Sequence, residues 1–425
     1  MVAFASLFLA LVIGVRPVEV VVGEGVASVE LHLDGERIGT LEQAPWALPV
    51  DFGSELAPRQ LEAIAFDSQQ RELGRVSQWL NLPQPQAVTS VVLEPRQPGQ
   101  PRVAQVSWQS AAGAEPKAVI ATFDGEPLTV TDPRRIVLPP ADESQLHLLN
   151  VELQFDNHVT SRIDLTFGGA YVDEVSTEIT ALAVRQTGKR RRPPTTAEAQ
   201  DWFSKGGEPL KVIAIEKETA EVVVVMGRPF PRFIGPGEPY KTPKSLYLGG
   251  DQRLRFVFPV PEKAEGVDVT FDLFPVSPPY DGGLGDLYTL LTRIRDQPRD
   301  RAPRFTSAAA IAGRVAYEGR HRRAVVLIPS SDSAADESTL APALVKRYLE
   351  RLHVPLIVWD PESKSATELA AWGEVRKVGS IKQLVAAFDE ISDLLAEQWI
   401  VWLDGQHLPQ DIELAPSATG FTLKQ

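Results

Sequence analysis

Glu221-Val222-Val223-Val224-Val225-Met226, Ala324-Val325-Val326-Leu327-Ile328 and Val354-Pro355-Leu356-Ile357-Val358-Trp359 decide the fold of the second half of the chain. Each run is apolar without interruption. A strand exposed on one face alternates apolar and polar residues, whereas a strand covered on both faces has no reason to alternate, so these runs suit central strands of a parallel sheet. Helical patterns stand beside them. Leu344, Val345, Tyr348, Leu349 and Leu352 share one helical face just before the third run. Ile381, Leu384, Val385, Phe388, Ile391 and Leu395 form a second stripe, and Ser380 with Gln383 reads as a capping box at its start. Shorter helices are expected over Leu287 to Arg295 and Ser307 to Tyr317. Strand and helix in alternation give a doubly wound, Rossmann-like α/β domain, expected over residues 171–425 with a strand and hairpin extension at its start.

Towards the N-terminus the texture changes to short strands and turns. Val29-Glu30-Leu31-His32-Leu33 alternates with period two and runs into Asp34-Gly35, a dipeptide suited to a tight hairpin because glycine accepts positive φ. Leu61 to Asp67 alternates again. Both features return about 90 residues later, as Ala118 to Phe123 before Asp124-Gly125 and as Leu149 to Asp156. Two landmarks at one offset imply an internal repeat the size of an immunoglobulin-like sandwich. The expected modules span residues 16–84 and 85–170, with the Pro/Gln-rich stretch from Pro83 to Gln86 as linker. The complete expectation is a multidomain chain: two all-β immunoglobulin-like sandwiches followed by the α/β domain.

The first 15 residues are a further piece. Val2 to Val15 is almost unbroken apolar sequence ended by Arg16. At about 14 residues it is short for a membrane span and suits a signal-peptide core or an anchor, with a buried first strand or helix as the alternative. On the first reading the protein is exported to the periplasm, the outer surface or the medium, with the N-terminal segment as its membrane tether. The absence of cysteine removes disulfides, thiolate metal sites and a cysteine nucleophile. A formal net charge of -13 argues against nucleic acid as partner, because phosphate contact needs a basic face.

Two resemblances add to this reading. VELHLDGERIGTLEQAPW and LEAIAFDSQQRELG in the first module resemble bacterial immunoglobulin-like domains of exported proteins. The last 250 residues or so resemble bacterial von Willebrand factor A-related proteins. The ordered series that carries this begins with Val175 to Ile215 as the preamble and Glu221 to Val225 as the first central strand. Gly249 to Val260 and Val267 to Phe271 follow as the next strands, then Thr306 to Ile311 as the threonine loop and helix. Arg322 to Ile328, Val354 to Val358 and the closing Leu384 to Trp402 complete it. The resemblance implies a site for Mg²⁺ built from hard oxygen ligands on three loops. This chain departs from that pattern. Met226 stands for the aspartate of the first loop, and Arg228 and Phe230 stand for its serines. Ser330 stands for the third-loop aspartate, with Asp332 two positions on, and Thr306 alone keeps a suitable type.

The expectation is therefore a degenerate site holding no metal, with no cofactor. Met226, Arg228, Phe230, Thr306, Ser330 and Asp332 are candidates for a partner-binding face towards another protein or a cell-envelope component, in an adhesion or interaction role. The alternative is a structural scaffold of the envelope with no ligand there. No catalytic motif is present: the six histidines show no metal-ligand spacing, and no G-x-S-x-G elbow, P-loop or G-x-G-x-x-G follows a strand. Asp332, Asp336 and Glu337 form an acidic cluster after a central strand, read either as a ligand edge or as a helix start that favours acids. Lys189 to Arg192 is read as a solvated basic loop. Trp399 and Trp402 are read as packing residues.

Overall fold

The computed structural model describes the chain apart from positions 1, 5, 7, 9, 23–24, 84–86, 94–100, 111–114, 125, 142–145, 156–159, 169–178, 188–192, 218, 227–251, 266–269, 281–286, 288–302, 330–335, 361–368 and 425. It divides into two units, one of residues 1–83 with 179–425 and one of residues 84–178.

Within the first unit, residues 2–83 form an immunoglobulin-like β-sandwich. One sheet runs in the order Glu36–Leu41, Ser28–Leu33, Arg59–Phe66, Glu72–Leu80, and the other in the order Val2–Phe4, Val15–Val22, Ala47–Asp51. The Asp34-Gly35 turn forms as expected, with φ of 53° and 84°, the left-handed conformation that a two-residue hairpin requires. The N-terminal apolar run was read as a leader or anchor, with a buried first strand or helix as the alternative, and its strand is placed as follows. Val2–Phe4 pairs antiparallel with Val20 to Val22, and Val2, Phe4 and Val12 lie in the sandwich core with Val29, Leu31, Leu61 and Leu80. Its hydrophobicity is accounted for by burial between sheets. No described helix is long and apolar enough to cross a membrane.

The second unit repeats the arrangement. Glu126–Leu128, Ala118–Phe123, Leu146–Gln154 and Thr160–Gly168 make one sheet, and Arg135–Val137, Val103–Ser110 and Ala87–Leu93 make the other. The two sequence landmarks occupy the two central strands of the first sheet in both modules, paired antiparallel each time. Phe123, Leu149, Val151, Leu153 and Leu165 build a core of its own. Asp124, before the turn, has φ of 50°.

The three apolar runs form adjacent parallel strands. A five-stranded parallel sheet has the order Gln252–Val257, Ala220–Met226, Arg322–Ile328, Leu356–Asp360, Val375–Lys377. The strand order reverses between Ala220–Met226 and Arg322–Ile328, and this switch point is where open parallel sheets leave a crevice beyond their carboxyl ends. Both faces are covered, which is why the runs need no alternation. Val223, Val225, Val325 and Leu327 pack under the helices Phe305–Glu318 and Pro342–Arg351. Val222, Val224, Ala324 and Val326 pack under Ile381–Glu397 through Leu384, Phe388, Ile391 and Leu395. Ser380 accepts from the Gln383 N–H at 3.3 Å, while its hydroxyl donates to Gln383 Oε1 at 3.1 Å, so the cap is made without the reciprocal half of the box. The expected helix from Leu287 to Arg295 falls outside the described residues except for Leu287, which is buried.

The first sandwich and the α/β part, expected as separate domains over residues 16–84 and 171–425, share a core. Leu56 and Leu82 belong to the same core cluster as Val223, Phe305 and Leu349, and Trp79 packs against it. Asn81 makes the joint polar as well. Its side chain accepts from Val12 N–H at 2.7 Å and donates to Val12 O and Ala57 O at 3.0 and 2.7 Å, and its carbonyl accepts from the Tyr348 hydroxyl at 2.6 Å.

The closing strand also departs from expectation. Gln398–Asp404 leaves the parallel sheet and pairs antiparallel with Ile179–Gln186 and Val212–Glu216, in a four-stranded sheet completed by Phe421–Thr422. The Gln398 side chain bridges the sheets: Oε1 accepts from Arg323 N–H at 2.7 Å and Nε2 donates to Arg323 O at 2.9 Å. Trp399 and Trp402 pack on this sheet, each half-buried.

Candidate functional site

The carboxyl ends of the two strands flanking the switch point carry Met226 and Ile328, which are register partners. Met226 is half-buried against the cluster beneath the Ile381 helix. The loops that continue from these strands hold Arg228, Phe230, Ser330 and Asp332, which lie outside the described residues. So does the basic run Lys189 to Arg192.

Thr306 lies in the first turn of the Phe305–Glu318 helix. It was expected on a partner-binding face, and the structure buries it to 1% exposure. Helices begin with backbone N–H groups that lack partners within the helix. Here the N-cap position is held by Arg304, whose side chain does not cap the helix. The missing acceptors come from a later segment of the chain. Asp336 Oδ2 accepts from the Thr306 N–H at 3.0 Å and from the Thr306 hydroxyl at 2.5 Å, and Ser338 Oγ accepts from the Ser307 N–H at 3.0 Å. Asp336 Oδ1 in turn accepts from Ser338 N–H and hydroxyl at 3.0 and 2.5 Å. The Glu337 N–H donates to Pro303 O at 3.1 Å, so residues 336–338 run as a strap across the helix start.

The sequence reading of Asp336 as an acid at a helix start is right in kind. The helix, however, is the one before it in the chain rather than the one after, a pairing that local sequence does not show. The consequence is chemical. The Thr306 hydroxyl donates its hydrogen bond to Asp336, and each oxygen of Asp336 already accepts two hydrogen bonds. An anion at this helix start would displace a carboxylate that occupies the position. A hard dication could take an oxygen of Asp336 only in place of one of these hydrogen bonds, whereas the Thr306 hydroxyl, which donates here, keeps its lone pairs. Among the described residues, no group of three or more His, Asp or Glu side chains is placed to hold a metal ion.

The opposite edge of the sheet carries charge. Arg253, Glu221 and Arg323 are register neighbours across three adjacent strands. Glu221 is 1% exposed and meets Arg255 Nη2 at 3.3 Å. Burial pushes its carboxyl above the usual range, against the pull of Arg255 and Arg253. Arg323 is fully buried, donates to Tyr317 O at 3.3 Å and lies 4.7 Å from the Tyr317 ring centroid. Burial lowers its pKa to about 10. The guanidinium thus serves the carboxyl end of the Phe305 helix, where carbonyls lack partners and the helix dipole favours a cation. The His321 imidazole is held below its ordinary value by burial and by Arg253, Arg255 and Arg323. Sequence reading passed over this group because its members sit at three separate strand starts and match no motif.

No family model matches the chain, and no curated protein matches it. Among solved structures there is similarity to the fibronectin(III)-like modules of Clostridium thermocellum CbhA, at 19% identity over 19% of this chain and 93% of that one, with a TM-score of 0.17. The central fibronectin-III array of RIM-binding protein is similar over 48% of this chain and 81% of its own, at 10% identity and a TM-score of 0.25. A β-glycosidase from Bacteroides vulgatus matches over 38% of this chain and 24% of its own, at 12% identity and a TM-score of 0.22. At scores this low the sandwich architecture rests on the strand pairing described above, and no activity or partner is taken from these proteins.

Proposed function

We propose that this chain is an exported, non-catalytic interaction protein. It binds another protein or a cell-envelope component through the loops at the carboxyl edge of its parallel sheet. The domain is read as von Willebrand factor A-like with binding that needs no metal. The order of elements supports this: the strand at 220–226, the strand at 252–257, the helix that carries Thr306, and the strands at 322–328 and 356–360 follow in the series of that family. The observation that supports the metal-free part is the strap over the helix start, where both oxygens of the Asp336 carboxylate are taken up by hydrogen bonds from Thr306 and Ser338.

The test has two arms. Titration with Mg²⁺ and Mn²⁺ is expected to leave the melting temperature unchanged, since a ligand that binds only the folded state must raise it. A saturable rise would remove the metal-free reading. Substituting Arg228 and Ser330 together and comparing capture of envelope components by the variant and the parent tests the face itself; loss of capture with an unchanged melting temperature supports it.

A second reading is a structural scaffold of the cell envelope with no ligand at that face. It is favoured by the shared core of the first sandwich and the parallel sheet through Leu56 and Leu82. Capture that is indifferent to Arg228 and Ser330 is the outcome that selects it.

A further inference from the structure

Buried polar atoms without partners gather at the edge of the parallel sheet opposite the switch-point crevice. Among the described residues these are Glu221 Oε1, Arg255 Nε, His321 Nδ1, and Arg323 Nε and Nη2. A buried donor or acceptor left unpaired forfeits its hydration, so such atoms are rare in folded chains, and their concentration in one place calls for a ligand. We propose that this edge binds a protonated oxyanion, a group with bare oxygens and one hydroxyl on a single centre, as in hydrogen phosphate or bicarbonate.

Strand register brings the four residues together. Glu221 and Arg323 are partners on adjacent strands. They alternate with Val223, Val225, Val325 and Leu327, so their side chains stand on the face covered by the Phe305–Glu318 helix. Arg255, on the same face as Val257, meets Glu221 Oε2 through Nη2 at 3.3 Å, which leaves Oε1 without a partner. His321 lies in the turn that joins the helix to the strand Arg322–Ile328. Gly319 leaves a gap beside them: a Cβ there would stand 3.3 Å from His321 Cδ2 and 3.5 Å from Glu221 Oε1. Its φ of -62° is open to any residue, so the backbone itself does not require glycine. The Arg255 side chain is 21% exposed and His321 is half-buried, and on that side the cluster opens to solvent.

Charge and hydrogen bonding together name the ligand. Arg253, Arg255 and Arg323 outnumber the one buried carboxylate among them, although the chain as a whole carries -13. Glu318, at the end of the helix, is exposed. Arg323 donates to Tyr317 O, and the helix end offsets part of its charge, but its Nε and Nη2 still meet no acceptor. Guanidinium N–H groups are met in pairs by the oxygens of an oxyanion. Glu221 Oε1 has the opposite need, since a carboxylate oxygen only accepts. Chloride or sulfate offers it no donor and faces it as a like charge. An anion with a hydroxyl answers both demands: bare oxygens accept from the arginines and the hydroxyl donates to Glu221.

Thermal melting of the full chain at pH 8 and constant ionic strength, titrated in turn with phosphate, bicarbonate and sulfate, tests this. A ligand of the folded state raises the midpoint saturably. Phosphate or bicarbonate is expected to do so and sulfate is not, and the one that acts identifies the centre. No rise with either overturns the proposal and leaves ordered water on the unpaired atoms. An equal rise with sulfate also overturns it, because the effect is then that of an adventitious ion only. Arg255→Gln, at the open side, is expected to raise the dissociation constant on the order of tenfold or more; an unchanged constant removes the site from this edge. Glu221→Gln puts an amide donor where the carboxylate stood and is expected to admit sulfate, and a variant that still refuses it overturns the role of the hydroxyl. The comparison of phosphate and bicarbonate with sulfate in the parent stands even where neither variant folds.

Discussion

The two sandwiches share a strand order and a pair of central strands, yet one is part of a larger core and the other is a unit by itself. The difference lies at their ends. In the first, Leu56 in the loop before Arg59–Phe66, Trp79 near the end of the last strand, and Asn81 and Leu82 just after it pack against the helices that cover the parallel sheet. In the second, the apolar set closes within residues 84–178, around Phe123, Leu149 and Leu153. One module template has thus served two purposes, depending on whether its terminal residues are apolar and have a helix to pack against.

The largest expected effect follows from that contrast. Calorimetry of the intact chain should show two transitions, one for residues 84–178 and one shared by the first sandwich and residues 179–425. Removing residues 2–83 should abolish cooperative folding of the remainder, since it strips Leu56 and Leu82 from the main core. Replacing 84–178 by a short flexible linker should leave the shared transition within a few degrees of its parent value. A third transition belonging to the first sandwich alone would break the comparison.

Single substitutions sharpen it. Leu56→Ala should cost about 2–5 kcal/mol, the range for a fully buried leucine. The cost should appear in the shared transition only, while Leu149→Ala should lower only the other. Gly313→Ala probes the helices that receive the first sandwich: a Cβ there would stand 2.0 Å from Leu349 Cδ2. Overpacking of about 1–3 kcal/mol should outweigh the gain in helix propensity of up to about 1 kcal/mol, so urea midpoints should fall in spite of the better helix former. Tyr348→Phe removes the donor to Asn81 O and should cost about 1–2 kcal/mol, again in the shared transition alone.

How much of this could be read from the chain follows from where the physics is local. The hairpins are legible because positive φ at Asp34 and Gly35 is a demand of the turn itself. The parallel strands are legible because burial on both faces erases alternation in Glu221 to Met226 and Ala324 to Ile328. The N-terminal run left two readings open because apolar composition is the same for a leader and for a sandwich strand, and its pairing with Val20 to Val22 is a long-range contact that composition does not record. The strap of Asp336 and Ser338 over Thr306 and Ser307 joins residues about 30 positions apart, and no periodicity records such a partner. Gln398 is a similar case, since a glutamine after an amphipathic helix gives no sign that its amide will bridge a strand of another sheet.

Asp336→Asn tests the strap. It keeps the shape but weakens the acceptor, and helix caps are worth about 0.5–2 kcal/mol. A fall of that order in the shared transition is expected, with none for Glu337→Gln, whose side chain makes no capping bond among the described residues. Equal effects would mean that the loop contributes through its charge and not through the helix start.

The smallest effect belongs to Glu221, at the far edge of the sheet. Its carboxyl is raised in the fold by burial, so the folded state binds a proton more readily than the unfolded chain. That favours folding at acid pH, and the advantage is lost as pH rises from the usual carboxylate range through the raised value. Above it, the fold carries a desolvated carboxylate that Arg255 only partly offsets at 3.3 Å. Glu221→Gln preserves size and one acceptor for Arg255 but never ionises. The difference in urea midpoint between variant and parent should therefore move in the variant's favour from pH 5 to pH 8. A difference independent of pH would mean that the carboxylate stays ionised throughout, and that the arginines of the strand starts compensate it more fully than its burial suggests.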